Sequence, residues 1–438
     1  RGSRTLEEIR MSRTTPTAGD RNAFASANPH ALATILEASE TRRIIAATDV
    51  FDISGIKLWA AERPVSAELQ RKLLDRRLRA PLESCLVAED GVTTLTLVQA
   101  LGALLEGDSP LAPLLRPHGV QLAREAAVLP VHPVAQLLLT AAQTARPPAY
   151  DHAVKAMALA GALTNAGGGD AAQLRTAMLA GLLHDLGEMY IDPRHGEAEA
   201  DRDLDFASYQ QLVVHPHVGH LLIAQLTNYP GSVARAVAEH HERLDGSGYP
   251  RALGGDELSP LGRLLAVTEA ALNALRSPYD QLLRASVALR VVPGEFDLGW
   301  VGRISRAAAS QPPQPAAMEL ADIQARLTAL RDVLETAEAN VAAQAARATQ
   351  PAHQQALALA AFLLGRLRAG WNESGMWNPR ALAGGDAAEV EAVEDELYLR
   401  LRGIQRATLL RAGALPAHDA AALGALCDSL AMGSVPGA

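Results

Sequence analysis

Apolar positions along most of the chain recur at helical spacing. Leu320, Ile323, Leu327, Leu330 and Leu334 alternate steps of three and four, which predicts the buried seam of a long helix. Amphipathic stretches at 352–369, 387–412 and 417–431 complete a C-terminal helical bundle. Upstream, residues 94–105 and 133–145 carry the same period. Helical patterns continue from 150 to 305, broken by Gly167-Gly168-Gly169-Asp170, an acidic stretch at 192–205 and a glycine-rich loop at 245–250. Residues 42–60 differ: short apolar runs flank Asp52-Ile53-Ser54-Gly55 and read as two short strands around a turn, before helical spacing returns over 66–78.

Proline marks the joints. Arg146-Pro147-Pro148 closes the mixed N-terminal part, and the proline-rich stretch 307–317 cannot continue a helix and reads as a linker. The expected division is a flexible segment over 1–40, a small α/β regulatory module plus helices over 41–147, a central helical domain over 148–306, the linker, and the bundle over 318–438. The fold class is mainly α. Residues 1–10 precede Met11 and are set aside from the fold reading.

Composition narrows the function. At 438 residues the chain is long enough for about three domains, and its 4% aromatic content favours helix over sheet. Lys plus Arg number 40 against 49 for Asp plus Glu, a net charge of -9, so nonspecific attraction to DNA is not expected. No apolar run approaches the roughly 18 residues of a membrane span. Cys85 and Cys427 stand far apart without metal-type spacing, which fits inert thiols in a reducing, cytoplasmic setting.

Candidate chemistry gathers in the central segment. Of 13 histidines, His152, His184 followed by Asp185, His215, and His240 followed by His241 share it. Imidazole and carboxylate together suit divalent first-row metals, and one carboxylate can bridge two ions. A lone histidine is more often a core or surface residue, but two adjacent pairs shift the balance toward ligation.

The surrounding strings are LLHDLGEMYIDP at 182–193, HPHVGHLLI at 215–223 and HHERLDGSGYP at 240–250. Together they closely resemble the HD-GYP family, HD-type metal-dependent phosphohydrolases that hydrolyse the bacterial second messenger cyclic di-GMP. The resemblance runs from the helix of His152 to Gly294-Glu295-Phe296-Asp297, which looks like that family's closing GxxFD. The module around 49–82 is similar to sequences that often precede such domains.

The resemblance implies that His152, His184 and Asp185 bind one metal, and that Asp185 bridges to a second held by His215, His240 and His241. Iron or manganese is favoured. Glu269 stands where the family has Asp; it is one methylene longer and still able to ligate. Pro148 occupies the position of the Glu found in trinuclear members, so two ions are expected rather than three. Glu188 replaces a Lys that helps hold phosphate, which puts negative charge where an anion binds; it reads equally as a solvated surface residue or an extra ligand. The family's RPY is reduced to Ser277-Pro278-Tyr279, with Arg276 adjacent. By the same resemblance Arg243, Asp245, Gly248, Tyr249 and Pro250 shape the substrate side, and this loop, with the C-terminal helices, offers a surface to protein partners. Taken alone, residues 245–248 read as a tight turn. His217 and His220 read as neighbours rather than ligands. The implied activity is hydrolysis of cyclic di-GMP; the alternatives are a catalytically impaired binding or signalling scaffold and an HD phosphohydrolase acting on another nucleotide.

Overall fold

The computed structural model describes residues 23–196, 206–275, 282–312, 318–374, 387–412 and 415–431. The chain divides into two units, one of Ser12–Leu272 and one containing Asn273–Ala438.

The first unit opens with helix α1, Pro29–Ser39. Its start follows from local chemistry: Asn28 accepts the His30 and Ala31 N–H groups at 2.9 and 3.1 Å, and Pro29 supplies a preset first helical position. Ala31, Leu32, Ile35 and Ala38 are buried. The expectation of a flexible segment up to residue 40 is therefore corrected for its described part, because this apolar stripe belongs to a core; residues 1–22 lie outside the described residues.

Four short strands follow: β1 Ile44–Ala46, β2 Val50–Phe51, β3 Lys57–Trp59 and β4 Leu86–Ala88. β2 and β3 form the expected hairpin, and Asp52 shapes its turn by accepting the Ser54 and Ile56 N–H groups, each at 2.9 Å. β1 pairs antiparallel with β4, Ile44 opposite Ala88, a partnership that no local pattern announces. Helical spacing over 66–78 becomes a shorter helix, α2 Ala67–Leu73. The chain beyond it is taken by the hairpin, since the Ile53 N–H donates to the Arg77 carbonyl at 3.0 Å and the Arg79 N–H to that of Phe51 at 2.9 Å.

Helices α3 Leu82–Cys85, α4 Thr94–Glu106, α5 Ala112–Leu115, α6 Gly119–Ala126 and α7 Pro133–Ala145 lead to the helices that frame the histidines. These are α8 Pro147–Ala166, α9 Ala171–Leu183, α10 Phe206–Leu212, α11 His215–Leu226, α12 Gly231–Glu239 and α13 Pro260–Ala274. α9 begins in a capping box, with Asp170 accepting the Gln173 N–H at 2.8 Å and the Gln173 side chain accepting that of Asp170 at 2.9 Å. Cys85 and Cys427 are buried and belong to no disulfide.

The second unit contains α14 Leu282–Arg290, α15 Leu298–Ala309, α16 Leu320–Ala345, α17 Pro351–Ser374, α18 Ala387–Ala412 and α19 Ala417–Ala431. Ile323, Leu327, Leu330 and Leu334 form its seam as the periodicity requires. Val287 of α14 and Val291 just beyond its end join the same core, so the joint falls near residue 272 rather than in the proline stretch at 307–317. α15 runs on to Ala309, and residues 313–317 lie outside the described residues. Among the described residues no helix is long and apolar enough to cross a membrane.

A polar knot sits on α18. Arg326 reaches Glu394 at 2.9 Å and Asp395 at 3.0 Å, and Arg284 reaches Asp395 at 2.7 Å. Burial, reinforced by Asp395 and only partly offset by Arg326, pushes the Glu394 carboxyl up to about 7. The folded state thus holds a proton that the unfolded chain releases above about 4.5, so stability is greatest below that window and falls as pH rises through 7. Urea unfolding at pH values on either side is expected to show this decline in the native protein and a flatter profile in Glu394→Gln. Truncating the fully buried Ile35 to Ala should cost the first unit about 2–5 kcal/mol in the same assay, a loss that a flexible segment would not produce.

Candidate metal centre

His184 and Asp185 follow the end of α9, His215 opens α11, and His240 and His241 follow α12. Three of the rings are anchored alike. The Nδ1–H of His184 donates to the Gly181 carbonyl at 2.7 Å, that of His215 to Leu212 at 2.7 Å, and that of His240 to Val237 at 2.6 Å. A carbonyl can only accept, so each Nδ1 carries the proton and each Nε2 turns a lone pair inward.

Those lone pairs meet around Asp185. Its Oδ2 lies 3.3 Å from His152 Nε2 and 3.1 Å from His184 Nε2, while its Oδ1 lies 3.3 Å from His215 Nε2 and 3.2 Å from His240 Nε2. Glu269 enters from α13, with Oε2 at 2.9 Å from His152 Nε2 and 3.0 Å from His184 Nε2. Two donor groups result, His152, His184, Asp185 and Glu269 in one, and Asp185, His215, His240 and His241 in the other. Asp185 belongs to both. The longer side chain of Glu269 reaches the first group, so the substitution preserves a carboxylate there.

The donor set fits divalent cations. Both Asp185 oxygens are buried without a hydrogen-bond partner, an arrangement that costs several kcal/mol unless positive charge compensates. The Nε2 atoms of His215 and His240 face each other at 3.0 Å with both Nδ1 protons already committed, leaving lone pairs opposed. Donors about 2.1 Å from an ion at right angles lie about 3 Å apart, the spacing seen throughout.

Electrostatics agree. Burial alone would raise Asp185 and Glu269, but the adjacent imidazoles hold both carboxyls well below their usual range, so both are anionic at neutral pH. Burial opposes a charged His184, yet Asp185 and Glu269 raise its proton affinity well above normal, so without a cation its Nε2 takes up a proton that a bound cation would displace: the pocket draws in positive charge. Burial lowers His240 to about 4 and keeps its lone pair available.

Two glycines allow the close approach. A Cβ on Gly187 would collide with the His215 carbonyl and the Gly219 nitrogen, so only glycine lets the turn after Asp185 meet α11. A Cβ on Gly248 would strike the backbone of residues 241–243. In this loop Asp245 accepts the Ser247 N–H at 3.0 Å and Gly246 takes φ +80°, so the turn exists alongside whatever else the loop does. Tyr249 stacks on His241 at 4.5 Å between centroids and 14° between planes, and its N–H donates to the His241 carbonyl at 3.2 Å. Arg243 donates to the Glu242 carbonyl at 2.9 Å, and Pro250 is exposed. Arg276 and residues 277–279 lie outside the described residues. His220 points its Nδ1 at the Ala234 carbonyl, and neither it nor His217 joins a donor group.

The sequence reading passed over Glu242. It is fully buried, and its carboxylate accepts the N–H groups of Arg251 at 2.8 Å and Leu253 at 3.0 Å, strapping the loop to the end of α12. An acid beside two histidines and ahead of a glycine-rich loop was the available signal. Phe296 and Asp297 of the closing motif serve packing: Phe296 is buried, and Asp297 caps α15 through the Gly299 N–H at 2.9 Å.

Glu188 is only 2% exposed, so it is not a solvated surface residue, and neither donor group includes it. Its Oε2 and the Arg146 Nη2 lie 2.8 and 2.9 Å from the point a Gly196 Cβ would occupy, and Arg146 Nη1 donates to the Glu188 carbonyl at 2.9 Å. Arg146 is itself buried. A guanidinium, in place of a substrate anion, therefore stands beside this carboxylate.

Comparison with known proteins points to the same segment of the chain. Residues 136–297 match the HD domain family model. The chain is 33% identical over 172 residues to cyclic di-GMP phosphodiesterase PA4108 of Pseudomonas aeruginosa, covering 38% of this chain and 41% of that protein. It is 31% identical over 115 residues to 3'3'-cGAMP-specific phosphodiesterase 3 of Vibrio cholerae, covering 26% and 24%. It is 31% identical over 124 residues to the cyclic di-GMP phosphodiesterase response regulator RpfG of Xanthomonas campestris pv. campestris, covering 27% and 31%. The chain thus spans less than half the length of each of these relatives. The match to the HD domain model falls on residues 136–297, the segment that holds the donor groups.

Glu188→Lys would set a second buried cation beside Arg146. The expected result is a loss of about 3 kcal/mol or more in urea unfolding, with a smaller loss for Glu188→Gln, because a like charge buried next to Arg146 costs more than a neutral amide there.

Proposed function

We propose that this chain hydrolyses a phosphodiester bond of a cyclic dinucleotide, cyclic di-GMP first, in cytoplasmic bacterial signalling. The observation that carries the reading is the single buried carboxylate of Asp185 shared by two convergent donor groups. His152, His184, Asp185 and Glu269 would hold one divalent ion, and Asp185, His215, His240 and His241 a second, with iron or manganese favoured by the mixed imidazole and carboxylate set. Bound ions would supply Lewis-acid polarisation of the phosphodiester and activation of water.

The chain's own residues do the positioning. Asp185 ties the two groups together, the three Nδ1 anchors fix ring orientation, and Tyr249 packs against His241 where the glycine-rich loop borders the site. Arg243, Asp245, Gly248, Tyr249 and Pro250 border the substrate side in this reading, and the loop is also the candidate contact for protein partners. A non-catalytic scaffold is the weaker reading, because Glu269 keeps a carboxylate in the first group and nothing in scaffolding requires opposed imidazole lone pairs. The cGAMP named for the Vibrio relative makes that dinucleotide the alternative substrate.

Purified protein is expected to carry two ions per chain by elemental analysis and to cleave cyclic di-GMP. Asp185→Asn should lower turnover by at least about a hundredfold and reduce metal content while circular dichroism keeps native helicity. Glu269→Gln should lose one ion. A wild-type rate in Asp185→Asn would overturn the assignment, and cleavage of 3'3'-cGAMP alone would replace the substrate.

A further inference from the structure

The N-terminal module carries a basic segment in a chain whose net charge is -9. Residues 71–79 include Arg71, Lys72, Arg76, Arg77 and Arg79 against one acid, Asp75, and all six are exposed. Lys72 pairs with Glu68 and Arg76 with Asp52. Arg71, Arg77 and Arg79 have no side-chain partner among the described residues. The backbone sets this segment against the β2–β3 hairpin through the Ile53 to Arg77 and Arg79 to Phe51 hydrogen bonds. The hairpin turn therefore stands beside the arginines. It presents Ile53 at 65% exposure and Ile56 at 53%, and Leu74, just before the arginines, is 65% exposed.

Exposed aliphatic side chains on two turns, with exposed guanidinium groups in the segment bonded to the hairpin, form a distinct chemical surface. We propose that this edge of the module docks on an anionic lipid bilayer. Ile53, Ile56 and Leu74 enter the headgroup region, while Arg71, Arg77 and Arg79 meet lipid phosphate and carboxylate oxygens. A folded protein partner would need about 800 Å² of shaped surface on each side with a packed apolar core, and three aliphatic tips on two turns provide none. A fluid headgroup layer conforms to such tips. Nucleic acid would answer the charge but leave the aliphatic groups in water. The negative charge elsewhere on the chain is screened beyond about 8 Å at physiological salt, so the local arginines decide the contact.

The test is sedimentation of the full chain with vesicles of phosphatidylcholine, pure or with about 30 mol% phosphatidylserine, at about 50 and 500 mM salt. Pelleting with the anionic vesicles, weakened by salt, is expected. Arg71→Glu, Arg77→Glu and Arg79→Glu together should lower partitioning about a hundredfold, at roughly fivefold for each basic residue lost. Ile53→Ser with Leu74→Ser should lower it several-fold even at high salt. Thermal unfolding should be unchanged in every variant, because the replaced side chains are exposed. Equal binding to both vesicle types, unchanged binding by the arginine variant, or no pelleting of the wild type would overturn the proposal. So would saturable binding of a polyglutamate peptide or an oligonucleotide without vesicle binding, which would assign the patch to another partner.

Discussion

A carboxylate buried without a hydrogen-bond donor is the constraint on which the centre of this protein depends. Asp185 sits between two groups of imidazole nitrogens at 3.1–3.3 Å, with both oxygens out of reach of water. A desolvated anion of this kind persists only if positive charge balances it. The surroundings serve that requirement: Glu269 adds a second anion, and the histidines offer lone pairs where other folds would offer N–H donors.

Holding those lone pairs in place falls to the backbone. His184, His215 and His240 each bond the carbonyl three residues earlier, so the end of one helix turn sets both tautomer and aim. The absence of a side chain at Gly187 brings α11 against the turn after Asp185. Glu242 straps the following loop from behind, and Tyr249 closes over His241. The precision of the centre thus comes from main-chain geometry and close packing, which is why small residues and buried acids cluster around it.

Glu188 illustrates how an apparent defect is absorbed. Read in isolation, an acid in place of a phosphate-binding Lys is a misplaced charge. In the folded chain the guanidinium of Arg146 stands beside it, and the turn bearing Glu188 is further held by the Arg146 bond to its carbonyl. The departure is local to a buried carboxylate with a buried guanidinium nearby and leaves the two donor groups intact.

The helices of both units and most of the donor residues were legible in the linear sequence. The three-and-four spacing of Leu327, Leu330 and Leu334 specifies a buried helical face wherever the partner lies, and paired motifs such as His184-Asp185 and His240-His241 keep their meaning at short range. The three-dimensional fold decided what depends on distant residues. The Ile44 pairing with Ala88, the capture of residues 77–79 by a hairpin that shortened α2, and the joining of Val287 to a core begun at Ile323 each involve a partner that periodicity cannot name. The same holds for Arg146 beside Glu188 and for the reach of Glu269 into the first group. Periodicity and capping are properties of neighbouring residues, whereas charge compensation and strand pairing are settled only when the chain closes on itself.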